Sequence, residues 1–130
     1  MKKLQVLFVV LLGVSFLAAS APKNSSNDTV DWTKAEQAYK ANLKSENNGV
    51  ITSAAGYIRK YKLTGAAEEL KMLLAKENAD NVKMAAALSL LSVGGTEGRI
   101  AVENAVEKEE SEIVVEFYRS ILHTTLTAGK

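Results

Sequence analysis

An apolar pattern occurs three times in this sequence at an interval of 32 residues, and it limits the possible folds more than any other feature. Its central copy is Val82, Ala85, Ala86, Ser89, Leu90 and Val93. The steps between these residues alternate between three and one, which is the spacing of the buried stripe of an amphipathic helix. The same template runs from Val50 to Tyr61 and from Val114 to Thr125. A fixed interval in this range predicts an array of helical hairpins that bury their apolar faces by stacking.

The segments between these helices repeat as well, so the pattern predicts an all-α protein. Leu70 corresponds to Val102 at the same interval, and a further copy from Thr33 to Asn47 matches at an interval of 31. The predicted helices are 33–46, 49–62, 65–77, 81–93, 97–109 and 112–126. This grouping gives an unpaired leading helix, two hairpins and an unpaired trailing helix. The central helix has neighbours on both sides, so we expect it to be enclosed.

Local signals at the predicted boundaries support helix starts and ends. Thr33 and Glu36 have the spacing of a capping box. Side chains of the type that caps helix N-termini also stand near the starts of four later helices: Asn48, Asp80, Thr96 and Ser111. Gly94-Gly95 follows the central helix, where a left-handed residue is often needed to end it.

The first thirty residues differ in composition from the rest. Lys2 and Lys3 precede the apolar run 4–17, and small residues occupy 18–21. This order predicts a secretory signal peptide over 1–20, cut after Ser20 or Ala19, although an uncleaved membrane anchor is the alternative reading. Residues 21–30 are polar and predict a flexible linker, which leaves a domain over 31–126 and a tail at 127–130. We therefore expect a secreted or periplasmic protein with no membrane association after cleavage.

Composition excludes several kinds of chemistry. The chain has no Cys, so disulfides and thiolate metal sites are impossible, and its single His, His123, stands in no metal-binding motif. The chain is close to neutral, which argues against nucleic acid as a partner. The acidic residues from Glu107 to Glu116 fall at a predicted turn, where a solvated surface explains them. The sequence thus predicts neither a catalytic set, a metal nor a cofactor.

Charge is unevenly distributed along the domain. Residues 48–76 are mainly basic and include Arg59, Lys60 and Lys62, whereas residues 97–116 contain seven acidic side chains. Such polarity can orient a partner protein or favour head-to-tail association, and it is also compatible with a plain soluble surface.

The central unit resembles a HEAT repeat of the short bacterial kind found in bilin-lyase-like proteins. The residues that carry the resemblance are Asp80, Val82, Lys83, Ala85, Ala86, Leu90, Val93 and Gly94. Lys83 stands where the family usually has Arg, and the flanking units have Ile51 and Val115 there. The resemblance implies a short α-solenoid over residues 31–126. Terminal repeats commonly depart from the pattern because one side faces water.

The same resemblance implies where a ligand would lie. In HEAT-like solenoids the second helix of each hairpin lines the concave surface, which here would present Lys40, Lys71, Arg99, Glu103 and Asn104. We expect an exported, non-catalytic module that binds another protein or acts as a scaffold. The alternatives are a lyase-like or other ligand-binding protein, which would need a tetrapyrrole or comparable ligand, and a purely structural envelope protein.

Overall fold

The computed structural model describes residues 29–75 and 77–128, and this part of the chain is helical without a strand. The predicted signal peptide and residues 21–28 of the predicted linker lie outside the described residues. The chain divides into two units, Met1–Asp31 and Trp32–Lys130, and all of the helices described here belong to the second. The helices are α1 (Trp32–Asn42), α2 (Asn48–Lys60), α3 (Ala67–Ala75), α4 (Asp80–Val93), α5 (Gly95–Lys108) and α6 (Glu112–Ala128). A short 3-10 helix, Thr64–Ala66, leads into α3. The all-α prediction is confirmed, and α6 continues two residues beyond its predicted end.

Helix α4 is the centre of the domain. It packs against α2, α3, α5 and α6, and seven of its 14 residues are buried. The expectation of an enclosed helix is only partly correct, because Met84, Leu88 and Leu91 are half-buried. Helix α4 therefore supplies the main core and also leaves an apolar strip at the surface.

Four pairs of consecutive helices pack against each other. Helix α1 packs against α2, α3 against α4, α4 against α5 as predicted for a hairpin, and α5 against α6. The leading and trailing helices were predicted to be unpaired, and this prediction is wrong. Consecutive α2 and α3, which were predicted to form a hairpin, are not among the principal packed pairs. The apolar spacing gave the buried side of each helix but carried no information about which neighbour covers it.

At one position of the 32-residue repeat, the equivalent residues of all three copies are buried. Ala54, Ala86 and Tyr118 occupy equivalent places in α2, α4 and α6, and all three are buried. Leu70 and Val102 are also equivalent, and both are fully buried. At other positions of the repeat, the burial of equivalent residues differs between the central helix and the helices at the ends of the array. Glu112, Glu116, Arg119 and His123 form an exposed polar stripe on α6, as the sequence predicted for a terminal helix.

The caps were predicted less accurately than the helices. The α2 N-cap is Asn47, not Asn48, and its side chain accepts from the N–H groups of Gly49 and Val50. The predicted capping box at Thr33 is wrong because α1 begins at Trp32 and the Glu36 carboxylate instead accepts from the N–H of Gly65.

The caps predicted at Asp80 and Thr96 also differ from the structure. Asp80 lies inside α4, whose N-cap is Ala79, and Thr96 lies inside α5, whose N-cap is Gly94. Neither α4 nor α5 has a side-chain hydrogen bond from its N-cap residue. The Ser111 hydroxyl donates to Asp80 Oδ2.

The turn after α4 depends on glycine at two positions. Gly95 has φ +59°, the left-handed region that glycine adopts without strain. Gly98 allows α5 to approach α4, because a Cβ atom there would lie 2.7 Å from the carbonyl oxygen of Leu90. After α2 the left-handed position is filled by Lys62, at φ 55°.

Gly56, in the interior of α2, has no comparable reason to be glycine. A Cβ atom at this position would meet nothing within 4 Å. Gly56→Ala is therefore expected to raise the free energy of unfolding by about 0.5–1 kcal/mol, because alanine loses less backbone entropy in a helix. Chemical denaturation of the two proteins measures this difference, and a loss of stability would contradict the helical environment described for Gly56.

Candidate functional site

The residues predicted to line a concave surface lie on the three helices α1, α3 and α5. Lys40 is on α1 and Lys71 on α3, whereas α5 carries Arg99, Glu103 and Asn104. Most of these side chains are occupied by partners within the domain. Lys40 Nζ lies 3.3 Å from Glu69 Oε1, and Arg99 Nε lies 3.0 Å from Glu103 Oε1.

Ion pairs connect these helices to their neighbours. Lys71 Nζ lies 2.5 Å from Glu68 Oε1 within α3 and 3.8 Å from Glu97 Oε2 of α5. The hydrogen bond with Glu68 raises the pKa of Lys71. Arg99 also donates to the Thr125 hydroxyl of α6 at 3.1 Å. A partner at these residues would therefore have to compete with carboxylates already in place.

A cleft of about 530 Å³ opens beside Asn104, the last of the predicted contact residues. Its apolar walls include Leu74, Ala101 and Ala105, and its deepest polar groups are Lys83 and Glu109. Lys83 Nζ lies 2.9 Å from Glu109 Oε1, and both side chains are almost wholly buried. The buried charges of Lys83 and Glu109 therefore neutralise each other and hold α4 to the turn before α6.

The Glu109 carboxylate is fixed by more than the lysine. Its Oε1 atom accepts from the N–H groups of Glu110 at 3.1 Å and Ser111 at 3.0 Å. Burial by itself raises the pKa of Glu109, but the Ser111 N–H and the Lys83 ammonium outweigh it and hold the pKa below its ordinary value. Asp80 is a second, more distant carboxylate at 3.9 Å from Lys83 Nζ. A group held ionised in this way stabilises a turn and is a poor proton donor.

Tyr118 lies fully buried near this network. Burial raises its pKa, and the charges of Glu109 and Asp80 act in the same direction. Its hydroxyl donates no hydrogen bond within the described residues. The phenol therefore stays protonated and serves as part of the core.

An exposed group of aromatic rings lies on α1 and α2. We define the aromatic face as Trp32, Tyr39, Val50, Tyr57 and Tyr61. The centroids of Trp32 and Tyr61 are 4.9 Å apart, those of Tyr39 and Tyr57 are 5.4 Å apart, and those of Tyr57 and Tyr61 are 6.1 Å apart. Trp32, Tyr57, Tyr61 and Val50 are all exposed, and a hollow of about 430 Å³ lies beside Tyr39, Val50 and Tyr57.

The repeat register explains why this face is open. Tyr57 is equivalent to Ser89 of α4, whose hydroxyl donates to the Ala55 carbonyl of α2 at 2.6 Å. Ser89 is thus on the side of α4 that α2 covers, and it is 1% exposed, whereas Tyr57 is 42% exposed. Within the described helices, no earlier helix of this kind covers Tyr57. Sequence reasoning missed this face, although the aromatic pair Tyr57 and Tyr61 in place of Ser89 and Val93 was a visible signal.

A second surface lies on α2 and α4 beyond the aromatic face. We define the basic groove as the depression of about 720 Å³ lined by Gly56, Arg59, Lys60, Lys62, Leu88, Leu91, Ser92 and Thr125. Leu88 and Leu91 are its apolar residues. Lys62 donates to the Ser92 hydroxyl at 2.5 Å, and Lys60 lies over the Tyr61 ring at 5.3 Å. None of the three cations has a carboxylate partner among the described residues.

The single histidine lies outside any cluster of possible metal ligands in the described part of the chain. His123 is exposed on α6, and no group of three His, Asp or Glu residues suited to a metal ion occurs within residues 29–75 and 77–128. None of the helices described is long and apolar enough to cross a bilayer. Comparison with protein-family models, curated proteins and solved structures found no match to this chain.

Proposed function

We propose that this protein is an exported, non-catalytic binding module that recognises another protein through the aromatic face. The observation that carries the proposal is the exposure of Tyr57, Tyr61 and Val50 at positions whose equivalents Ser89, Val93 and Val82 are buried. Tyr and Trp are enriched at protein interfaces because each combines a large apolar surface with a polar group. Their clustering at one end of the domain makes this the favoured docking surface.

The proposed partner element is an amphipathic helix. On α4 the equivalent surface is covered by α2, which presents small residues such as Ala55 to it. A partner helix with a similar small and apolar side would continue the layer formed by α2, α4 and α6. Helices commonly bind in this way, through apolar anchors at helical spacing. This proposal includes the HEAT-like solenoid architecture, in which each helix stacks on its predecessor.

The aromatic face is favoured over the predicted concave residues for an energetic reason. Lys40, Lys71 and Arg99 already have carboxylate partners, so binding there requires those pairs to be replaced. The rings of Trp32, Tyr57 and Tyr61 lose only water when covered, and burial of apolar area contributes about 25 cal/mol per Å².

The test is a capture experiment from the exported fraction of the source cells, using four forms of the protein as bait. We expect wild type to retain a stoichiometric partner, and the double variant Tyr57→Ser, Tyr61→Ser to lose it. Serine is already accommodated at the equivalent position, Ser89, so the fold should tolerate the first change. Circular dichroism of each bait checks that the helices are intact.

Two controls separate the competing surfaces. Ile100→Ser removes an exposed apolar side chain from α5, outside the aromatic face, and should leave capture unchanged. Lys71→Glu with Arg99→Glu alters the predicted concave residues. Loss of the partner in this second control, with retention by the tyrosine variant, would assign binding to the concave residues and reject the aromatic face.

A further inference from the structure

The basic groove has the features of a binding site for an apolar side chain that is flanked by acidic residues. Leu88 and Leu91 give it apolar walls, and Gly56 leaves space where another residue would project a side chain. Arg59, Lys60 and Lys62 surround this space, and none forms an ion pair within the described residues. A ligand with one apolar group flanked by carboxylates would complement both the shape and the charge.

The same chain carries such a protrusion at the start of α6. Ile113 is 70% exposed, the largest exposed fraction among the large apolar side chains described. Glu112 and Glu116 flank it and are exposed, and neither has a Lys or Arg partner in the described structure. We define the acidic protrusion as Glu112, Ile113 and Glu116.

The protrusion and the groove lie at opposite ends of the domain. The Ser111 hydroxyl donates to Asp80 at 3.0 Å, so α6 begins beside the start of α4. The groove is lined by Leu91, Ser92 and Thr125, near the ends of α4 and α6. Twelve residues separate Ile113 from Thr125, which is about 18 Å along a helix axis. The protrusion of one copy therefore cannot reach its own groove.

We propose that the protein associates head to tail, with the acidic protrusion of one copy bound in the basic groove of the next. Ile113 occupies the space above Gly56, and Glu112 and Glu116 pair with Arg59, Lys60 and Lys62. Because the two surfaces differ, the contact is heterologous and adds further copies in one direction. This inference does not depend on the proposed function, since neither the acidic protrusion nor the lining of the basic groove includes a residue of the aromatic face.

The test is sedimentation velocity of the domain at increasing protein concentration. The average mass of wild type should rise with concentration at about 0.1 M salt and fall back to that of a monomer at about 1 M, where the screening length drops from about 10 Å to about 3 Å. Gly56→Gln fills the groove, and Ile113→Ser removes the apolar part of the protrusion. Each variant should remain monomeric alone.

Mixing the two variants provides the decisive measurement. Gly56→Gln retains the protrusion and Ile113→Ser retains the groove, so the mixture should form a 1:1 dimer and nothing larger. Gly56→Ala, which leaves the groove open, and Ile100→Ser, which removes an exposed apolar side chain elsewhere, should associate as wild type does. The proposal would be overturned if wild type were monomeric, or if both variants associated when each is alone. It would also be overturned if association strengthened with salt, or if the mixture formed no dimers.

Discussion

Leu90→Ala is expected to lower the free energy of unfolding by about 2–5 kcal/mol, the largest effect expected of any single change described for this domain. Leu90 lies on the helix that contacts four of the other five, and its side chain is fully buried. It also packs beneath Gly98 of α5, where a Cβ atom would lie 3.2 Å from Leu90 Cγ. Truncation leaves a cavity, and the four helices packed around α4 can collapse into it only partly.

Urea denaturation followed by circular dichroism measures this loss. Leu126→Ala is the matched control, because it makes the same change at an exposed position of α6 and should alter stability by less than about 0.5 kcal/mol. A cost for Leu90→Ala as small as that of the control would show that α4 is not the centre of the core.

Glu109→Gln is expected to cost about 2–3 kcal/mol of stability at neutral pH. The substitution leaves the buried Lys83 ammonium without its closest carboxylate and weakens the hydrogen bonds from Glu110 and Ser111. Asp80, 3.9 Å from Lys83, still attracts the ammonium group in the variant. We therefore expect a smaller loss of stability than for a buried charge with no partner.

The same substitution should change how stability depends on pH. The folded pKa of Glu109 lies below its ordinary value of 4.5, so the unfolded chain binds the proton more readily. The stabilisation is therefore fully present above pH 4.5 and is lost as pH falls through the lower folded pKa. The difference in stability between wild type and Glu109→Gln should be constant near neutrality and shrink at acidic pH.

Glu107→Gln is the control for this experiment, since Glu107 is exposed and has no ion-pair partner in the described residues. Unfolding curves of the three proteins, measured from neutral pH down to about pH 3, give the comparison. An unchanged difference between wild type and Glu109→Gln across that range would show that the Lys83–Glu109 pair does not stabilise the fold.

The helices themselves were predictable because their signal is local. Apolar side chains at steps of three and four are enough to indicate which side of a helix is buried, and Ala54, Ala86 and Tyr118 confirm that reading. The N-caps were harder, since a cap depends on one backbone angle and neighbouring residues compete for the role. Asn47 and Asn48 have the same side chain, and nothing in their order indicated that Asn47 would accept the hydrogen bonds.

The candidate surfaces were predicted less well than the helices. The sequence marked Arg59, Lys60 and Lys62 as a basic segment, but the groove also needs Leu88 and Leu91 from a different helix. Lys40 and Lys71 were predicted as contact residues, and the structure pairs both with carboxylates. The partner of a charged side chain depends on how the helices pack, which a repeat pattern alone does not specify.

Six helices, their approximate positions and the buried side of each could be derived from the sequence, because these follow from the spacing of side chains along one helix. Which helices pair, and which apolar positions remain uncovered, depends on how the helices pack together. Val50 and Val82 occupy equivalent positions in the repeat, yet the first is exposed and the second is fully buried. Burial is a property of two surfaces in contact, and within residues 29–75 and 77–128 α2 has no helix on the side that corresponds to the one by which α4 meets α2.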